Sequence, residues 1–183
     1  MKKISKLDEY LFDLNGYLII NNALNKKELK DLNNILDKLK NIKNDEWAGY
    51  VHGHNYGGKE GLNLQQIYEA GKPFEKLIDH PSWINHMLHF VGGKGTFDHL
   101  HGPLFIDENF ANIRGPGEAI GIHSGNPEGL QRNHYRYQNG KFHCSQVNIL
   151  LALTNIGPGD GGTVITVSYT HLRAHETRIH LVC

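Results

Sequence analysis

Cysteine is scarce. The 183-residue chain holds two, Cys144 and Cys183, too few and too far apart for a disulfide framework. Charge of one sign is also lacking. Nineteen basic residues balance nineteen acidic ones, so no surplus exists to attract a nucleic acid or a polyanion. No apolar run is long enough to cross a bilayer. The opening "MKKISKLDEY" has lysines but no apolar core behind them, which argues against a secretory signal. No internal repeat is visible. These absences leave the expectation of a soluble cytoplasmic protein, one domain in size, with neither membrane nor nucleic acid as partner.

What the chain does have is a change of texture. The first half reads as helices. In "ISKLDEYLFDLNGYLII" the positions Leu7, Tyr10, Leu11 and Leu14 predict a buried helical face, with Gly16 as the stop and "YLII" as a short strand. Asn25 then begins a second helix, with Glu28 three residues on in a capping-box arrangement. Its apolar stripe is Leu29, Leu32, Ile35, Leu36 and Leu39. Residues 41–64 are polar and glycine-rich and read as loop. "GKPFEKLIDHPSWINHMLHFVGG" predicts two short helices, the second from near Pro81 to Gly92–Gly93. Beyond it come short strand-like runs: "GTFDHLHGPLFI", "FANIRG", "EAIGIHSG", "FHCSQVNILLALTNI" and "GGTVIT". Helices first and strands after predict an α+β fold, mainly β, with an antiparallel sandwich or barrel as its body.

Thirteen histidines are the chemical feature. His52 and His54, in "HGH", fall in the expected loop and are assigned mostly to solvent. His86 and His89 are spaced to share a helix face, though a surface or half-buried role is the simpler reading, as it is for His80. His99 and His101 stand two apart in a strand-like stretch, where both side chains face one way and are able to hold one metal. His123 lies between an apolar run and a glycine-rich turn, a place for a first metal ligand or for a hydrogen-bonded structural histidine. His171 and His175 stand four apart, the spacing of two ligands on one helix face.

Several stretches resemble the phytanoyl-CoA dioxygenase family of iron(II)/2-oxoglutarate oxygenases. They are "FDLNGYLIINNALNKKELKDLNNILD", "PFEKLIDHPSWINHMLHFVGG" and, most specifically, "YRYQNGKFHCSQVNILLALTNIGPGDGGTVI". Together they cover nearly all of residues 9–166, and their order and spacing carry the likeness. The resemblance implies a double-stranded β-helix, a jelly-roll or cupin-like sandwich with N-terminal helices outside it. It implies Fe(II), 2-oxoglutarate as cosubstrate, dioxygen and a small-molecule substrate that becomes hydroxylated. The family holds iron with a His-x-Asp/Glu pair on an early strand and a second histidine on a late one, and an arginine beyond it binds the cosubstrate. By position relative to "VNILLALTNI", His123 matches the first ligand. Ser124 and Gly125 follow, and Gly125 stands where the family pattern has Asp or Glu. That departure implies a halogenase-like site, a non-catalytic relative or another carboxylate. Glu128 is near in sequence, with a turn between.

Where the family continues into a serine–histidine–lysine turn, this chain reads "VSYTHLRAHETRIHLVC". The run resembles a translated transposase-type sequencing adapter, with codons such as TCT TAT ACA CAT CTC for Ser168 to Leu172. Residues 167–183 are therefore expected to be a non-native tail, and residues 1–166 the N-terminal part of one oxygenase domain. Without the tail, seventeen basic residues face eighteen acidic ones, and ten histidines remain. The late histidine and arginine are expected beyond residue 166. A cupin-like metal-binding module, using His99 and His101 after Gly93, is the alternative. Phe105 and Ile106 stand where that motif wants a glutamate.

The chain as written is accordingly expected to be poorly soluble or molten, without 2-oxoglutarate turnover above a no-protein control. An overlapping nucleotide read is expected to diverge near Thr166 into a Pro-Gly-Ser-His-Lys-like turn. Genomic sequence continuing in frame through residue 183 contradicts the adapter reading.

Overall fold

A computed structural model describes residues 4–91, 99–100, 102–121, 123, 135–165 and 180–182. Helices and strands are mixed, and the fold is α+β. The chain divides into two compact units. Among the described residues, no helix is long and apolar enough to cross a membrane.

The first unit comprises Met1–Ala23, Pro81–Phe105 and Ile122–Cys183. Helix α1 (Lys6–Asn15) starts where Ser5 Oγ accepts the Asp8 N–H at 3.0 Å. It ends at Gly16, whose φ of 80° is the left-handed conformation glycine adopts without strain. The buried residue of α1 is Phe12, fully covered and stacked on Phe90 of α4 (Ile84–Phe90) with ring centroids 3.7 Å apart. This corrects the expected face. Leu7, Tyr10 and Leu14 are exposed, because the stacked aromatic pair fixes which side of so short a helix turns inward. Trp83 and Met87 are also buried.

Strand β1 (Tyr17–Ile19) lies beside β9 (His180–Val182), and β9 beside β8 (Asn148–Leu150), all parallel. Leu181 thus stands between Leu18 and Ile149. Three paired residues speak to the β-propensity of His-Leu-Val, not to the origin of the segment. A separate hairpin joins β6 (Tyr135–Gln138) to β7 (Lys141–Cys144). Its turn is Asn139-Gly140, with φ of 54° and 76°, the pair that a right-twisted two-residue hairpin requires.

The second unit comprises Leu24–His80 and Ile106–Gly121. Helix α2 (Lys26–Leu39) carries the expected capping box. Asn25 Oδ1 accepts the Lys27 and Glu28 N–H groups at 2.9 Å, and Glu28 Oε2 accepts the Asn25 N–H at 2.8 Å. Leu32 is its most buried residue. The expected loop at 41–64 is not one. It contains β2 (Trp47–Ala48), β3 (Val51–His54) and the start of β4 (Leu62–Gln65), which with β5 (Phe110–Ile113) form an antiparallel sheet in that order. The strands are short and interrupted by glycine, so they leave no apolar run to read. Val51 and Leu64 are buried on one face. The other face carries Trp47, His52, Gln65 and Phe110 in register, with His54, Asn63 and Asn112 in the next row. A turn of 3₁₀ helix (Ile67–Ala70) and α3 (Lys72–Glu75) follow β4, burying Ile67 and Phe74.

Three expected strands are not found. "EAIGIHSG" and "GGTVIT" have no strand at their described residues, and neither do the described residues of "GTFDHLHGPLFI". Three separate sheets are present among the described residues, of three, four and two strands.

Glycine is indispensable at position 53. A Cβ there would stand 2.5 Å from both Ile42 Cγ2 and Lys43 O. In the protein carrying the continuation expected beyond residue 166, the Gly53→Ala variant is expected to lose about 1–3 kcal/mol of stability, the usual range for overpacking, read as a lowered urea midpoint. An unchanged midpoint contradicts the close approach.

Candidate functional site

The expected metal ligand His123 is described and exposed. Its neighbours Ser124, Gly125 and Glu128 lie outside the described residues, so the pattern around it has no structural counterpart here. His99 is exposed in a turn, while His101, Gly93, His171 and His175 lie outside the described residues. Phe105 and Ile106 are exposed. Among the described residues, no group of three or more His, Cys, Asp and Glu side chains is placed to hold a metal ion.

The remaining histidines have distinct surroundings. His80 is buried, 7% exposed, and its Nε2 lies 3.3 Å from Glu28 Oε1. Glu28 thus uses one oxygen to cap α2 and the other to meet His80. The Asn25 N–H, and after it His80 and Lys76, hold the Glu28 carboxyl below its ordinary range against the opposing effect of burial. His89 Nε2 reaches Glu9 Oε1 of α1 at 3.4 Å. His86 does not share that contact. Its Nδ1 is buried without a hydrogen-bond partner, as is Asn85 Oδ1. Burial pushes the His86 imidazole down from its ordinary value, helped by His89, while Asp8 and a Ser82 backbone contact push the other way.

His52 and His54 are the correction of most consequence. They are not solvated loop residues but sit side by side on β3, each half-buried. The Trp47 ring stacks on His52 at 4.6 Å between centroids, and Tyr56 meets His54 edge-on at 4.3 Å. The signal in the sequence was alternation: Val51 and Gly53 point one way, His52 and His54 the other. Only four residues carry it, which is why the glycine-rich surroundings outweighed it.

Cys144 is half-buried beside the Gln146 carbonyl, its Sγ 3.1 Å from that oxygen. Burial pushes its thiol up to about 11, which keeps it protonated and a poor nucleophile at neutral pH.

Comparison with protein-family models, with curated proteins and with solved structures gives no match.

His86 generates a pH dependence. Its native imidazole binds protons less readily than the unfolded one, whose ordinary value is 6.5. The unfolded state therefore holds more protons as pH falls below that value. This contribution to stability is complete above it and lost as pH drops through the lower native value. In the protein carrying the continuation expected beyond residue 166, the urea midpoint is expected to fall more steeply on acidification with His86 in place than in His86→Gln. Parallel profiles contradict the burial of this ring.

Proposed function

We propose that residues 1–166 are the N-terminal part of an iron(II)/2-oxoglutarate-dependent oxygenase of the phytanoyl-CoA dioxygenase type, acting in the cytoplasm on a small molecule. In this reading residues 167–183 are adapter-derived. The observation that carries it is the ordered run "YRYQNGKFHCSQVNILLALTNIGPGDGG", with "FDLNGYLII" and its capped helix far upstream in the family's order. The helix, short strand and capped helix at residues 6–39 are compatible with it, as is a hairpin followed by a strand at residues 135–150. The double-stranded β-helix belongs to the proposal, since three separate sheets do not by themselves close a sandwich.

The described residues do not fit an iron centre by themselves. They contribute one candidate ligand, His123, which is exposed, and no group of three ligand-type side chains among them is placed to hold a metal ion. The proposal therefore places the second histidine and the cosubstrate arginine in natural sequence beyond residue 166. When bound, iron and 2-oxoglutarate supply the oxidation: dioxygen, 2-oxoglutarate and a C–H bond become succinate, carbon dioxide and an alcohol. The protein's part is to align the substrate and exclude competing reactions. Gly125 in the carboxylate position favours a second reading. A halogenase-like relative puts chloride where the carboxylate would bind, and a non-catalytic relative keeps the fold alone.

The test uses the protein with its natural continuation. His123→Ala is expected to abolish tight iron binding and iron-dependent succinate formation. His99→Ala and His101→Ala are expected to retain most metal affinity. The reverse pattern transfers the site to the cupin-like reading. Chloride-dependent product assigns the halogenase-like reading, and gain of hydroxylation in Gly125→Asp supports a halogenase-like or degenerate site.

A further inference from the structure

The chain has two Asn-Gly pairs, Asn15-Gly16 and Asn139-Gly140. Asparagine is a labile residue. Before glycine, the next main-chain nitrogen has no side chain beside it to hinder its attack on the amide. The structure treats the two pairs differently. Asn15 is the last residue of α1 and half-buried, and Gly16 is buried. The Gly16 N–H donates to Phe12 O at 2.8 Å. Phe12 is itself fully covered and stacked on Phe90. The nitrogen of this pair is therefore engaged, at a helix end held by packed side chains.

Asn139-Gly140 is the turn between β6 and β7. Both residues are exposed. The Gly140 N–H has no hydrogen bond among the described residues. Asn139 stands at a φ of 54°, a conformation that an L-residue adopts at a cost. Little holds it there. Among the described residues, β6 and β7 pair only with each other, and a lone two-stranded hairpin is marginally stable in water. Its tip opens by local fluctuation, without unfolding of either compact unit. Each opening frees the Asn139 backbone, so that the Gly140 nitrogen meets the side-chain amide.

We propose that Asn139 is a site of spontaneous deamidation, with water as the co-reactant and no enzyme required. The Gly140 nitrogen gives up its proton and attacks Asn139 Cγ. A bond from Cγ to that nitrogen forms, the Cγ–Nδ2 bond breaks, and Nδ2 departs with the proton as ammonia. The product is a cyclic imide. Water opens it at either carbonyl, to aspartate or to isoaspartate, and nothing is oxidised or reduced. Either product brings a negative charge to the turn. Isoaspartate also lengthens the main chain by a methylene, which a two-residue turn setting Gln138 opposite Lys141 does not accommodate. The modification therefore loosens the hairpin as the protein ages. The site is independent of the oxygenase reading and of His123, so either stands if the other fails.

The protein carrying the continuation expected beyond residue 166 is kept in mildly alkaline buffer, one portion folded and one in guanidinium chloride, and both are digested at intervals. Far-UV circular dichroism checks the folded portion. Mass spectrometry of the peptides reads the conversion of each amide to an acid, and chromatography separates aspartate from isoaspartate. In the folded protein Asn139 is expected to deamidate at least about tenfold faster than Asn15, because the hairpin tip opens at a smaller cost than the end of α1. In guanidinium chloride the two rates are expected to converge. Both acids are expected at position 139. Asn139 reacting no faster than Asn15 in the folded protein overturns the proposal. So does aspartate without isoaspartate, which excludes the imide, or a rate gap that persists in guanidinium chloride, which assigns the difference to flanking sequence alone.

Discussion

Strand β3 approaches the loop at residues 42–46 closely enough that only glycine fits at position 53. Much of the second unit follows from that contact. The two backbone hydrogen bonds at Gly53 tie the loop to the strand. They set the register in which Trp47 faces His52 and put Asp45 opposite an imidazole. The buried face then has Val51 and Leu64 to cover, and the other face is left with polar and aromatic side chains in paired rows. A side chain at position 53 would push loop and strand apart and separate the groups that the contact assembles.

Local signals in the sequence were the dependable ones. Gly16 as a helix stop and the Asn25–Glu28 capping box need only neighbours within one turn, and both are found as expected. The buried face of α1 is not legible locally, for the opposite reason. Periodicity offered several apolar residues, but the partner that selects among them is Phe90, far along the chain. The β2–β3–β4 sheet is not legible in the sequence because its strands have two to four residues, too few for alternation to stand out among glycines.

The histidines illustrate the same limit. His80 gives no hint in its own segment that it will meet Glu28, fifty-two residues away. His52 and His54 looked solvated because their segment looked like loop. His123, chosen by its place in a family pattern, has no local feature to distinguish a ligand from a structural histidine. What the sequence offers for function is therefore long-range order, the succession of motifs across residues 9–166, more than any one residue.

The proposed oxygenase reading makes a chemical claim with a definite isotope balance. In 2-oxoglutarate-dependent oxygenation, one atom of dioxygen ends in succinate and the other in the oxidised substrate, since carbon dioxide leaves from the keto acid. The most direct measurement is the mass of succinate formed under isotopically heavy dioxygen by the protein with the continuation proposed beyond residue 166. One heavy oxygen atom per succinate is the expected result. Succinate without heavy oxygen, or none formed with iron and 2-oxoglutarate present, contradicts the oxygenase account.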